Sequence, residues 1–179
     1  MVAYLGWGSL IWQPKDFREH FDYWRSDGPY LPIEFCRVSK DGRLTLAILE
    51  GAAAVQVLWS IASSKDVSVA RSALAEREGC PADRIGAACF CDGNSPFDLA
   101  AWMDRVRVSA VLWTNLPPKF AGQNQKAPSQ ADAVSYLQHL KGDEALRAQE
   151  YVRRAPPQIR TIYRNQFEKA LGWVAHGDD

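Results

Sequence analysis

The sequence predicts an α+β fold, on three observations. Period-two hydrophobic placement is densest in residues 32–61, at Ile33, Phe35, Leu44, Leu46, Ile48, Val55, Val57 and Trp59. Helix start and stop signals crowd the final fifty residues instead. Strands that mostly precede helices, with no internal repeat, point to α+β rather than an alternating α/β order.

Element by element, residues 2–6 form a short apolar strand broken by Gly6-Trp7-Gly8-Ser9, and the apolar stretch 10–12 ends before Pro14. Residues 16–25 have helical spacing, with Phe17, Phe21 and Trp24 along one side. Ser26-Asp27-Gly28-Pro29 is a turn cluster. Strands follow at 32–39, 43–49 and 54–61, the first two joined by a hairpin turn at Lys40-Asp41-Gly42. Ser63 or Ser64 offers an N-cap for a helix over 65–78, which Gly79 closes. A loop at 80–84 leads to a strand at 85–91, so that Cys89-Phe90-Cys91 reads as alternating strand residues. Ser95-Pro96 opens a helix over 97–107, and an apolar strand covers 108–114. Residues 121–128 are polar and read as a loop. Ser129 with Asp132 is a capping box opening a helix to 141, with Gly142 as its stop. A second helix covers 143–154, and Pro156-Pro157 opens a third that runs to Leu171 and stops at Gly172.

Composition narrows the function. The 179 residues carry 21 Lys+Arg against 21 Asp+Glu, so no basic excess exists to neutralise a phosphate backbone, and nucleic acid is excluded as a main partner. No run of about 18 apolar residues is present to span a membrane. The opening Met1-Val2-Ala3-Tyr4 lacks the basic start of a secretory signal, so a cytoplasmic protein with reduced thiols at Cys36, Cys80, Cys89 and Cys91 is expected. His20, His139 and His176 are scattered, and no metal or cofactor is expected. Seven tryptophans fit an aromatic core or a ring-lined pocket.

Two constellations carry chemistry. In Gly6-Trp7-Gly8-Ser9-Leu10 a strand runs into two glycines and a serine. Gly8 permits positive φ, so successive N–H groups can converge on a carboxylate or an oxyanion. A simple tight turn is the competing reading. Dinucleotide, P-loop and nucleophile-elbow patterns all fail here: Ile11 stands where the first and last need glycine, and Leu10 follows Ser9. The second constellation is Glu78. At 100° per residue Val67, Ala70, Leu74 and Glu78 fall on one apolar face, while Glu76 lies opposite. Burial and the negative end of the helix dipole both raise such a carboxyl's proton affinity, and Arg77 offsets part of this, which makes Glu78 a general-base candidate. A helix-end glutamate reaching solvent is the alternative. A basic run in the tail (Arg147, Arg153, Arg154, Arg160, Arg164, Lys169) reads as a solvated helix face, or else as an anion-attracting surface.

Together these features resemble the γ-glutamylcyclotransferase-like superfamily. Residues 6–17, Gly-Trp-Gly-Ser-Leu-Ile-Trp-Gln-Pro-Lys-Asp-Phe, are similar to the start of its ChaC branch, F-G-Y-G-S-L-I-W-K-P. Leu74-Ala75-Glu76-Arg77-Glu78-Gly79 resembles the helix that ends in L-D-x-x-E-G or L-D-x-R-E. Trp7 stands where the family loop has tyrosine, and Ala75 where it has aspartate. The resemblance covers about residues 2–115. It implies a small mixed β-barrel with flanking helices over residues 1–120, and leaves 121–179 as a helical C-terminal extension packed on the same domain. It implies a γ-glutamyl amine lyase/acyltransferase acting on a small-molecule substrate, without a cofactor. The substrate's α-amine attacks its own γ-amide carbonyl and closes 5-oxoproline. Glu78 is then the acid/base, and Gly6, Trp7, Gly8, Ser9 and Leu10 hold the substrate. A non-catalytic metabolite-binding protein on the same fold, or an interaction protein using its helical tail, are the alternatives.

Overall fold

A computed structural model of the chain describes residues 1–90 and 97–176. The protein is mixed α+β. Among the described residues the strands are β1 (Val2–Gly6), β2 (Tyr30–Val38), β3 (Leu44–Ile48), β4 (Ala54–Gln56), β5 (Leu58–Ile61), β6 (Ile85–Cys89), β7 (Ala110–Thr114), β8 (Lys119–Phe120) and β9 (Gln123–Asn124). The α-helices are α1 (Val67–Glu78), α2 (Ala100–Val106), α3 (Gln130–His139), α4 (Gly142–Arg154) and α5 (Ile162–Leu171). The chain divides into two compact units, each built from separate stretches of sequence.

The first unit comprises Met1–Gly6, Gln13–Leu31 and Gln56–Leu116. Its four-stranded sheet has the order β5-β1-β7-β6. β1 runs antiparallel to β5, with Leu5 opposite Trp59, and parallel to β7, with Ala3 opposite Val111. A strand parallel to its neighbour at the centre of a sheet needs cover on both faces, and β1 is buried along its whole length. Gly86 in β6 admits the Trp113 ring of β7, since a Cβ there would overlap the indole. α1 begins at Asp66, whose carboxylate accepts the amides of Ser68 (2.7 Å) and Val69 (3.3 Å). The cap is therefore Asp66 and not Ser63 or Ser64, because a β-region residue just before the first helical turn is best placed to reach those amides. Gly79 closes α1 in the left-handed region, φ 60°.

Residues 16–25 depart from the expected helix. A 3-10 turn covers Lys15–His20, and Phe21 is already extended at φ −149°. Phe21 bridges to Ala62, and Arg25 exchanges backbone hydrogen bonds with Trp59 at 2.8 and 3.0 Å. Pairing with β5 satisfies these backbone groups in place of a helix. Phe17, Phe21 and Trp24 still stack in sequence, at 5.4 and 5.1 Å between centroids. The stretch 54–61 is also divided, into β4 and β5 at Val57, whose amide donates to Pro29. Cys91 and the Ser95-Pro96 helix start lie outside the described residues; α2 begins at Ala100.

The second unit comprises Trp7–Trp12, Pro32–Val55 and Pro117–Asp179. Its sheet has the order β3-β2-β8-β9, and β4 also pairs with β2. The β2–β3 hairpin turns at Gly42 (φ 81°), and its register shifts between Phe35 and Arg37. The stretch 121–128, expected as loop, holds β9, which pairs with β8 in a small hairpin, and β8 runs parallel to β2 at Arg37 and Lys119. Ile33, Phe35, Leu44, Leu137, Val152 and Phe167 lie in the core.

The capping box of α3 forms as read, Ser129 and Asp132 each accepting the other's amide. Gly142 does not stop α3. It is the first residue of α4, at φ 54°, and α3 already ends at His139. Pro156-Pro157 likewise opens no helix: α5 starts six residues after Pro156, capped by the Thr161 hydroxyl. The intervening turn is held by Arg164, which is fully buried and donates to the carbonyls of Ala155 (2.7 Å), Pro156 (2.7 Å) and Ile159 (3.1 Å). Arg164 therefore leaves the solvated basic face expected for the tail. Arg154 and Arg160 remain outward, paired with Glu150 and Glu168.

Candidate functional site

Glu78 belongs to the first unit, at the last residue of α1. Ala70 and Leu74 are buried on the same helix, Glu76 is exposed, and the Glu78 side chain keeps 18% of its surface in solvent. Helix phase thus separates the two glutamates as the sequence predicts. Burial pushes the Glu78 carboxyl above its ordinary proton affinity, and the neighbouring guanidinium of Arg77 opposes the rise. Arg77 lies 3.4 Å from Glu78 Oε1. Its other terminal nitrogen donates to the Gln13 carbonyl at 2.7 Å, which fixes the pair. The result is a carboxyl that water still reaches, with a raised proton affinity, on a rigid helix end. Such a group suits taking and returning a proton better than an ordinary surface glutamate does.

Gly6 ends β1 in the first unit, opposite Leu58. Trp7, Gly8, Ser9 and Leu10 lie together in one turn of the second unit, with Trp7 and Leu10 buried. The Ile11 amide donates to the Gly8 carbonyl at 3.0 Å. The amides of Gly8, Ser9 and Leu10 donate to no other group among the described residues. Unspent N–H groups in one turn are the feature an anion or a developing oxyanion requires.

The expected reason for Gly8 is corrected. Its φ is not positive. A side chain is excluded instead by Tyr151, whose hydroxyl would lie 2.6 Å from a Cβ at this position. Tyr151, in α4, is buried; its hydroxyl accepts the Leu46 amide at 3.3 Å, and its ring meets Trp12 edge-on at 5.4 Å. Arg43 sits over the same ring at 5.3 Å. Tyr151 is thus a residue of the motif turn that sequence reading misses, since nothing local marks a tyrosine so far along the chain.

Glu34 is the second omission. It is buried in β2, and its carboxylate accepts amides from Phe35 (2.8 Å) and Tyr163 (3.3 Å), at the start of α5. Burial raises its proton affinity, while these bonds and the Thr161 hydroxyl lower it. A carboxylate spent on helix amides in this way has a structural role. Alternation in β2 hides it, because Ile33 and Phe35 take one face and Glu34 then reads as an outward residue, whereas the strand is buried on both faces at 33–36.

Cys36 is a free, buried thiol, and burial pushes it up to about 12, which makes it inert. Among the described residues no group of three or more His, Cys, Asp or Glu is placed to hold a metal ion, and no helix is long and apolar enough to cross a membrane. No family model matches the chain, and no curated protein or solved structure matches it.

Proposed function

We propose that the protein is a γ-glutamylcyclotransferase-like enzyme, built on a small mixed barrel of that family's kind. In this reading it is a cytoplasmic protein that converts a γ-glutamyl amine or peptide to 5-oxoproline. The observation that carries the reading is Glu78: a half-buried carboxyl, still open to water, with its proton affinity raised by burial. In the reaction the substrate's α-ammonium gives a proton to the Glu78 carboxylate. The freed amine nitrogen bonds to the γ-carbonyl carbon, and the bond from that carbon to the departing nitrogen breaks. The new ring nitrogen sheds its second proton through Glu78 as well; both protons pass to the departing nitrogen, which leaves as an ammonium, so the enzyme ends as it began. Nucleophile and electrophile belong to one molecule, which removes most of the entropic cost of bringing them together. The enzyme's work is to fold the substrate and move the proton. The free amides of Gly8, Ser9 and Leu10, in the turn that follows Gly6 and includes Trp7, support an assignment of residues 6–10 to substrate binding.

The test is to incubate the protein with γ-glutamyl peptides and γ-glutamyl amines and measure 5-oxoproline. Glu78→Gln keeps the shape and removes the base, and is expected to lower kcat about 10²–10⁴-fold. Equal rates for wild type and variant would reject Glu78 as the acid/base. Binding of small carboxylates without turnover, unchanged in Glu78→Gln, would favour a non-catalytic metabolite binder.

A further inference from the structure

Among the described residues Glu78 pairs with one cation, Arg77, and the two are neighbours on α1. Residues one apart on a helix point about 100° away from each other, so helix geometry does not pair them. A group outside the helix must set where the Arg77 guanidinium lies, and that group is the Gln13 carbonyl. One terminal nitrogen of Arg77 donates to it at 2.7 Å, whereas the other stands 3.4 Å from Glu78 Oε1. A formed charge-assisted bond measures about 2.7–2.9 Å. Carbonyl and carboxylate thus compete for one cation, and the carbonyl holds it more closely. The Arg77 side chain is only 10% exposed and its Nε is sealed without a partner, so the guanidinium has little solvent to retreat into.

The Gln13 carbonyl is itself placed by a strained bend. Lys15 has φ 56°, in the left-handed region, which is unfavourable for a residue with a side chain and persists only where its surroundings hold it. Lys15 is exposed, so packing of its own side chain does not account for the conformation. The bend is pinned on both sides instead. Arg77 holds Gln13 before it, and Phe17 after it is buried against Tyr4, with ring centroids 5.0 Å apart. The other charges on elements packed against α1 lie at the surface. Lys15, Asp16, Arg18, Glu19 and His20 of the adjoining 3-10 turn are exposed, and Arg18 is spent on the carbonyls of Phe21 and Asp22. Asp83 and Arg84, in the turn after the helix, are exposed too. β7 has no titratable side chain, and β6 has only Cys89.

We propose that the bend at residues 13–15 is a positioning element for Glu78: its Gln13 carbonyl holds Arg77 half off the carboxylate and keeps that carboxylate free to take a proton. Gln13, Lys15 and Arg77 act through Glu78 rather than on the substrate. The inference rests on the assignment of Glu78 as the acid/base and deepens it.

The experiment follows the Glu78 carboxyl itself, by carbon-13 NMR titration of the free protein, which needs no turnover. Lys15→Gly and Lys15→Val both remove the lysine charge, but glycine accepts the left-handed bend and a β-branched residue resists it. The Glu78 midpoint is expected to stay at its wild-type value in Lys15→Gly. In Lys15→Val it is expected to move to lower pH, because the released guanidinium closes on the carboxylate. In an Arg77→Gln background Lys15→Val should then change nothing. No shift in Lys15→Val, a shift to higher pH, an equal shift in Lys15→Gly, or a shift that survives Arg77→Gln overturns the proposal. Should Lys15→Val not fold, Pro14→Gly, which loosens the same bend, is read by the same criteria. With γ-glutamyl substrates the acid limb of kcat/KM should move with the midpoint. A limb that stays put while the midpoint moves would remove Glu78 from the reaction. A protein that forms no 5-oxoproline fails the cyclisation reading, and the titration still decides on the bend.

Discussion

Gly8→Ala tests the close approach that shapes the motif turn. The added Cβ would lie 2.6 Å from the Tyr151 hydroxyl, about 0.8 Å short of ordinary contact. The tyrosine cannot swing aside cheaply. It is buried, its oxygen takes the Leu46 amide, and its ring is hemmed by Trp12, Phe35 and Arg43. Overpacking of this kind costs about 1–3 kcal/mol. Gly8 lies outside the left-handed region, so no backbone strain adds to that cost. Tyr151→Phe removes the clashing oxygen and leaves the next ring atom, Cζ, at 3.6 Å, an ordinary contact. The tyrosine variant itself loses one hydrogen bond and orphans the Leu46 amide, at about 1–3 kcal/mol. In the double variant the alanine therefore adds almost nothing, and the two costs fall short of additivity by about 1–3 kcal/mol. Urea denaturation of the four proteins measures this, provided the slopes agree. Additive costs would show that Tyr151 is not what excludes a side chain at position 8.

Three further outcomes follow from single groups. Asp66→Ala removes the α1 cap and is expected to cost about 1 kcal/mol in a denaturation midpoint, whereas Ser63→Ala and Ser64→Ala should each cost much less. The folded proton affinity of Glu34 lies above its unfolded one, so its contribution is full below the unfolded pKa and is lost as pH rises through the folded value. The stability of wild type relative to Glu34→Gln should accordingly increase as pH is lowered from 7; a decrease would place the Glu34 shift in the opposite direction. The same direction of shift in Glu78 predicts that the acid limb of kcat/KM sits above the ordinary glutamate range and moves further up in Arg77→Gln, which removes the opposing charge. A limb that did not respond to Arg77→Gln would separate it from Glu78.

What was legible in the sequence depended on signals that act within a few residues. The Ser129–Asp132 box, the left-handed stops at Gly79 and Gly172 and the hairpin at Gly42 form where they were read, because each is satisfied by neighbours along the chain. Misreadings arose where a distant partner decided. Residues 16–25 have a helical pattern, but the edge of β5 takes their amides, and the spacing of Phe17, Phe21 and Trp24 serves an aromatic stack instead. Gly142 has the composition of a helix stop, yet its φ of 54° serves the sharp junction at which α4 begins. Arg164 looks like one more charge on a solvated face; only the turn at 155–159 shows that three carbonyls need it.

The same division runs through the site. Glu78 was reachable because helix phase alone puts it with Ala70 and Leu74. Gly8 was found for the wrong reason. A glycine after a strand has two physical uses, a left-handed φ or room for a close neighbour, and local sequence favours the first because it needs no partner. Here the neighbour is Tyr151, and the amides of Gly8, Ser9 and Leu10 remain free while φ stays ordinary. The two properties are separable, which gives the turn a distinct prediction. Gly8→Ala in the Tyr151→Phe background should be about as stable as Tyr151→Phe alone and leave the amides in place, so substrate affinity should persist there if the amides bind. Loss of affinity in that double variant, measured as a raised KM or a vanished thermal shift, would assign binding to the Tyr151 hydroxyl rather than to the amides.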